Sequence, residues 1–137
     1  METLQLFVYG TLQPGHQNYD HYCRHCILAY QPAQVKGQLY HLPQGYPGMI
    51  AGDQWIQGYL LTVPEDPQWL IALDALEDYR PGAAHNLYER VCLEVFDLGE
   101  EPLGLAWAYQ MAAETVQRLQ GEIIPSGRWY DTRSKLG

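Results

Sequence analysis

The sequence predicts an α+β fold in which most strands lie in one largely antiparallel or mixed sheet. Three observations predict it. The 137 residues are enough for about one domain, and no repeat, low-complexity tract or linker-like run divides them. Apolar residues make up 47% of the composition and charged residues 18%, so the chain can bury a core. Segments typical of strands outnumber those typical of helices. We therefore expect a single domain over residues 1–137.

Five segments predict strands, because they are rich in strand-forming residues and are bounded by turn residues. They are Leu4 to Tyr9, Ala33 to His41, Trp55 to Val63, Tyr88 to Asp97 and Leu103 to Met111. The sequence PQGYPGMIAGDQ, residues 43–54, predicts a turn-rich connection between the second and third strands. The sequence LGEEP predicts a turn that joins the last two strands.

The clearest helix is predicted after the sequence VPEDP. Asp66 can accept hydrogen bonds from the first free amides of a helix, and Pro67 suits its first position. This helix is expected to run through WLIALDALED, residues 69–78, and to be followed by a loop at RPGAAHN. Shorter helices are predicted over His16 to Leu28 and around Glu114 to Gln120.

Charge and hydropathy exclude several classes of function. The formal net charge of −8 repels phosphate backbones and anionic lipid headgroups, so we expect neither a nucleic acid nor a membrane as partner. No stretch approaches the roughly 20 apolar residues of a membrane span. The start METLQLFVYG has Glu2 where a secretory signal would have a basic residue, which favours a cytoplasmic location. Three cysteines cannot form a closed disulfide framework.

Glu77 is a candidate catalytic residue because of its place on the predicted helix. At about 100° per residue, Glu77 falls within the apolar stripe formed by Trp69, Leu70, Leu73 and Leu76, while Asp78 falls on the opposite side. A carboxylate directed at a core is costly unless it is hydrogen-bonded or paired, so it indicates a structural network or a working acid or base. The alternative is that the helix frays and Glu77 is solvated.

The loop YGTLQPG, from Tyr9 to Gly15, is the second candidate. Two glycines and a proline after a strand can turn successive backbone amides toward one point, which suits a carboxylate or an oxyanion. The loop lacks the glycine patterns of nucleotide-phosphate sites. An ordinary turn from strand to helix is the alternative.

Four motifs in this order resemble the gamma-glutamylcyclotransferase-like family, which includes gamma-glutamylamine cyclotransferases. They are FVYGTLQPG, LDALEDY, YERVCLEV and AWAYQ, and the resemblance extends from Leu6 to about Tyr130. It implies a small mixed β-barrel with flanking helices and a cavity for a small gamma-glutamyl substrate.

The resemblance also implies roles for particular residues. The family's LDxxE segment ends here at Glu77, which would be the catalytic acid/base. The family's Y-G-[ST]-L loop, whose backbone holds the glutamyl end of the substrate in relatives, matches Tyr9, Gly10, Thr11 and Leu12. A cavity-lining tyrosine of the late strand matches Tyr109. The family's Y-x-R strand opening matches Tyr88 and Arg90, for which we expect a mostly structural role.

The implied reaction fits these residue types. In a gamma-glutamyl amide, the α-amine can attack the side-chain carbonyl and close 5-oxoproline while the amine leaves. One carboxylate can take up and return the proton, so the reaction requires no protein nucleophile, metal or cofactor. The leaving amine and the oligomeric state are not predicted.

Two other functions remain open at this stage. A noncatalytic module could keep the cavity and bind a small carboxylate-bearing ligand. Cys23 and Cys26 form a CxxC motif, which invites a redox or zinc role, but it lacks a second ligand pair and lies late in a predicted helix. We expect ordinary helix residues there. Tyr46 and Trp107 could line a cavity, and Arg128 could cover its mouth.

Overall fold

The computed structural model describes residues 3–10, 13, 27–66, 68, 72 and 87–129. The elements with described bounds are β1 (Thr3–Val8), β2 (Ala29–His41), β3 (Pro47–Pro64), β4 (Glu89–Phe96), β5 (Pro102–Gln110), α1 (Ala113–Arg118) and β6 (Glu122–Ile123). The five predicted strands and the short late helix are confirmed, with different bounds. The two-residue strand β6 was not predicted.

The strands close into a mixed barrel. Their order is β3-β1-β5-β4-β2, and β2 pairs back onto β3, which completes the ring. The pairing of β1 with β5 is parallel, and the other pairings are antiparallel. β6 joins the edge of β2 at Tyr40 and His41. The small mixed β-barrel implied by the family resemblance is therefore confirmed.

β2 and β3 form a long ladder, and here one prediction is wrong. Residues 47–54 belong to β3, whereas the turn signals in this segment predicted a connection. Pro47 is tolerated because it is the first residue of the strand, where the missing amide costs least. The register shifts between Gly37 and Gln38, opposite the extra residues 51–53. A Cβ on Gly37 would lie 2.8 Å from Ile56 Cδ1, so glycine permits the close approach of the strands.

Two apolar clusters lie on opposite faces of the strands. One draws buried residues from all five barrel strands, as a barrel interior requires. The other contains Leu6 and Val8 of β1, with residues of β3 and β5 and with Val116 of α1, and it covers the outer face. The alternation of Leu6 and Val8 with Phe7 and Tyr9 follows from the two-residue period of a strand.

The segment 124–129 docks on the barrel through polar contacts. The Gln57 amide donates to Gly127 O at 2.7 Å, and Gln54 Nε2 donates to Ile124 O at 2.7 Å. Gly127 has φ +72°, and a Cβ there would lie 2.1 Å from Trp55 O. The indole of Trp129 is 2% exposed and belongs to the interior cluster, and its Nε1 donates to His41 Nδ1 at 3.1 Å.

The predicted helix after VPEDP lies mostly outside the described residues. Gln68 and Ala72 are described and helical, and the Gln68 amide donates to Asp66 Oδ1 at 3.0 Å, as the capping prediction required. Of the predicted helix over His16 to Leu28, only Ile27 and Leu28 are described, and neither is helical. No helix among the described positions is long and apolar enough to cross a membrane.

Candidate active site

Tyr9 connects the end of β1 to β5. It directly follows β1, is 6% exposed, and its ring stacks on that of Phe7 with centroids 6.3 Å apart. Its hydroxyl donates a hydrogen bond of 2.6 Å to the backbone carbonyl of Tyr109. Two of the predicted site residues, 100 positions apart in the chain, are thus in direct contact.

Gly10 lies against the start of β3. A Cβ on Gly10 would lie 2.9 Å from Pro47 Cγ and 3.2 Å from Pro47 Cδ, so a larger residue would push the proline ring away. The hydroxyl of Tyr88 donates a hydrogen bond to Pro47 O. Tyr46 lies beside Tyr88, with ring centroids 6.3 Å apart. The backbone at Gly10 therefore faces a proline that is itself held in place.

Gln13 closes the turn that begins at Gly10. Its backbone amide donates to Gly10 O at 3.0 Å, and its side-chain Nε2 donates to the same oxygen at 3.2 Å. The residue is 1% exposed. Gln13 is not among the site residues that the sequence predicts. The available signal was the turn expected after the strand, since the first carbonyl of a β-turn often accepts from the amide three residues later.

Arg90 and Trp107 lie beside the pair of tyrosines. Arg90 pairs with Tyr109 across β4 and β5, and its guanidinium carbon is 5.1 Å from the centroid of the Trp107 ring. This distance is typical of a cation–π contact. Arg90 therefore contacts Trp107, and the Tyr88 hydroxyl donates a hydrogen bond to Pro47 O. Both residues of the Y-x-R opening thus make structural contacts.

Part of the predicted site lies outside the described residues. Glu77, Thr11 and Leu12 are among these, so their roles stay predictions, and the same holds for Cys23 and Cys26. In the part of the chain that is described, no three His, Cys, Asp or Glu side chains are grouped so that they could hold a metal ion. Tyr9 and Tyr109 are the predicted residues that the structure brings together, and Gly10, next to Tyr9 in the chain, lies against Pro47.

Arg128 belongs to the segment that docks on the barrel. Its backbone amide and carbonyl both contact the hydroxyl of Ser126 at 3.3 Å. Its predicted place at a cavity mouth stays a prediction, as do cavity-lining roles for Tyr46 and Trp107.

Comparison with known proteins gives one consistent result. The family described as "Gamma-glutamyl cyclotransferase, AIG2-like" matches residues 6–131. The sequence is 35% identical over 105 residues to Gamma-L-glutamyl-butirosin B gamma-glutamyl cyclotransferase of Niallia circulans, covering 76% of this chain and 65% of that protein. It is 38% identical over 99 residues to a Halalkalibacterium halodurans protein that carries a gamma-glutamylcyclotransferase name, covering 71% of this chain and 81% of that one.

A solved structure shares the fold. The crystal structure of an AIG2-like protein from Mus musculus superposes with a TM-score of 0.64 at 23% sequence identity. The match covers 85% of this chain and 84% of the mouse chain.

Proposed function

Because the chain belongs to the AIG2-like gamma-glutamyl cyclotransferase family, we propose that it converts a small gamma-glutamyl amide into 5-oxoproline and a free amine. The family match over residues 6–131 carries the proposal, since it spans both motifs that meet at the candidate site. The contact of Tyr9 with Tyr109 supports it. We further propose that residues 1–137 form one domain that acts in the cytosol on a freely diffusing substrate, without a nucleic acid, a membrane or a cofactor.

The substrate supplies the nucleophile in this reaction. Its α-amine nitrogen bonds to the side-chain carbonyl carbon, the bond from that carbon to the amide nitrogen breaks, and the two products together contain all the atoms of the substrate. Tethering the nucleophile to the carbonyl gives the high effective concentration that replaces a protein nucleophile. The remaining task is a proton transfer.

Glu77 is proposed to carry that proton. The α-amino group of an amino acid is protonated near neutral pH, so a base must remove a proton before the nitrogen can attack. The departing nitrogen must gain a proton, because a deprotonated amine is a poor leaving group. The attacking nitrogen loses a second proton as the lactam forms, so a single carboxylate that relays protons from this nitrogen to the departing nitrogen satisfies both requirements.

The loop from Tyr9 to Leu12 is proposed to hold the substrate. Backbone amides of Gly10, Thr11 and Leu12 would bind the α-carboxylate or the oxyanion that develops on the attacked carbonyl. The packing of Gly10 supports this, because the missing side chain lets the main chain lie close against Pro47, which restricts the beginning of the loop. The hydroxyl of Tyr9 donates to the Tyr109 carbonyl, so we assign Tyr9 the task of fixing the loop against β5. Tyr109 is proposed to line the cavity.

A panel of gamma-glutamyl amides tests the proposal. The panel should include amides of amino acids, of a lysine side chain and of polyamines, because the leaving amine is not fixed by the site. For at least one of them we expect equal amounts of amine and 5-oxoproline, measured by mass spectrometry. The same substrate with an acetylated α-amine should not react, because acetylation removes the nucleophilic lone pair.

Other outcomes identify other functions. Glutamate as the main product, or turnover of the acetylated compound, would indicate hydrolysis by water and contradict cyclisation. Binding without turnover across the panel would support the noncatalytic alternative. An increased melting temperature would reveal the binding, because a ligand that binds only the folded state stabilises it.

A further inference from the structure

We propose that Gln13 is a positioning residue of the substrate loop, which holds the Gly10 carbonyl in one orientation. The inference rests on the proposed function. Gly10 O accepts hydrogen bonds from both the backbone amide and the side-chain Nε2 of Gln13, at 3.0 and 3.2 Å. Buried glutamine side chains are uncommon because the amide must find partners. Here the side-chain amide of Gln13 donates to the Gly10 carbonyl, in the loop that is proposed to hold the substrate.

The orientation of this carbonyl matters because of the chemistry proposed for the loop. The carbonyl belongs to the planar peptide group that leaves Gly10, so holding the oxygen holds the whole plane. Glycine permits a wide range of backbone angles, which makes rotation of that plane easier than at other residues. Rotation of this plane would turn the carbonyl toward the substrate in place of the amide. A carbonyl oxygen that faces an anionic substrate group repels it.

Gln13 resists this rotation by its hydrogen bonds, and Pro47 packs closely against Gly10. Rotation would break two hydrogen bonds at once, both of which come from a residue that is 1% exposed. Pro47 leaves no room for a Cβ on Gly10, and the Tyr88 hydroxyl holds its carbonyl. Because the side chain of Gln13 is almost completely buried, we infer that it acts on the substrate through Gly10 and not by contact.

A matched pair of substitutions separates positioning from a merely structural contribution. Gln13→Met keeps the length of the side chain and removes the Nε2 donor. Gln34→Met is the control, because Gln34 is also buried, at 5% exposure, and its Nε2 also donates to one backbone carbonyl, that of Asp97 at 3.1 Å. That hydrogen bond joins β2 to the turn after β4, and not to the Gly10 loop. Gln13→Leu is prepared alongside, as a second apolar replacement.

The two variants should lose similar amounts of stability but differ in activity. We expect kcat/KM for a gamma-glutamyl amide to fall roughly five- to tenfold in Gln13→Met, which corresponds to one lost hydrogen bond, and to change less than about twofold in Gln34→Met. The dissociation constant of 5-oxoproline, measured by calorimetry, should rise in Gln13→Met alone. Melting temperatures should fall by comparable amounts in both.

The results distinguish the two proposals. A wild-type protein that neither turns over the panel nor binds 5-oxoproline overturns the proposed function and this inference with it. An active wild type whose kcat/KM and 5-oxoproline affinity are unchanged in Gln13→Met or Gln13→Leu overturns only the role of Gln13. Equal losses of activity in Gln13→Met and Gln34→Met would show a general structural effect and would also reject the positioning role.

Discussion

At the scale of single residues, the tyrosines of the candidate site bind main-chain carbonyls. Tyr9 donates to Tyr109 O, and Tyr88 donates to Pro47 O. Buried carbonyls need such donors, because an unsatisfied main-chain group in a core destabilises the fold. These side chains therefore fix the shape of the site, while the chemistry is assigned to the backbone of the loop and to Glu77.

The sequence predicts some of these residues and not their contacts. The family motifs single out Tyr9, Gly10 and Tyr109, and the structure brings Tyr9 and Tyr109 into contact. Neither the hydrogen bond from Tyr88 to Pro47 nor the packing of Pro47 against Gly10 could be predicted. Tyr88 and Pro47 are 41 positions apart and belong to segments with unrelated local signals. Gln13 has a local partner, yet nothing in its residue type indicates a buried side chain.

Replacing Glu77 with glutamine tests the proposed acid/base residue. Glu77→Gln keeps the shape of the side chain and removes the base, so we expect kcat to fall by about 10² to 10⁴ while the melting temperature and 5-oxoproline affinity stay close to wild type. Asp74→Asn and Asp78→Asn make the same chemical change within the same predicted helix and should cost much less. Near wild-type turnover in Glu77→Gln would remove Glu77 from the mechanism.

At the scale of elements, strand positions were predicted better than strand bounds. Residues 47–54 carry proline and glycine signals that predict a turn, but the pairing with β2 continues through them. Gly52 lies at the register shift opposite Gly37 and Gly48 packs against Met111, so neither glycine reverses the chain. Local propensity cannot distinguish these two uses, because the strand partner that decides between them is supplied by the tertiary structure.

The predicted helix over His16 to Leu28 carries the CxxC motif, and that motif should be dispensable. We expect the variant Cys23→Ser/Cys26→Ser to fold and to retain wild-type kcat/KM, because the sequence offers neither a second ligand pair nor a thioredoxin-like context. Circular dichroism and the cyclisation assay check this. Cys92→Ser, which changes an exposed thiol of β4, is the control. Stoichiometric zinc in the purified protein, or activity that follows thiol oxidation, would contradict the prediction.

At the scale of the whole molecule, the segment 124–129 packs on the closed barrel. The main chain from Ile124 to Gly127 binds Gln54 and Gln57 of β3, and the Trp129 indole joins the interior cluster. The sequence placed this segment in a tail with no predicted structure. Its docking depends on Gly127 and Trp129, whose partners Trp55 and His41 lie more than 70 positions earlier.

Truncating Trp129 should destabilise the whole domain. Trp129→Ala removes a large buried ring, so we expect the free energy of unfolding to fall by about 3 to 5 kcal/mol in urea titrations. Trp129→Phe keeps an aromatic ring and loses the bond to His41, and should cost less. Leu98→Ala, at a side chain that is 54% exposed, is the control. A loss in Trp129→Ala no larger than in that control would show that the segment contributes little.

The parallel pairing of β1 with β5 has a consequence for the order in which the protein is made. The ribosome synthesises β1 before β5, and its parallel partner Trp107 is added about a hundred residues later. Leu6, Phe7 and Val8 can pair with β3 as soon as residues 59–61 are made, but the parallel pairing with β5 must wait until Trp107 is made. The hydrogen bond from the Tyr9 hydroxyl to the Tyr109 carbonyl likewise forms only after β5 has been made. The motif at Tyr9 is thus translated well before its partner in β5. A nascent chain that stops before β5 lacks the contact between Tyr9 and Tyr109.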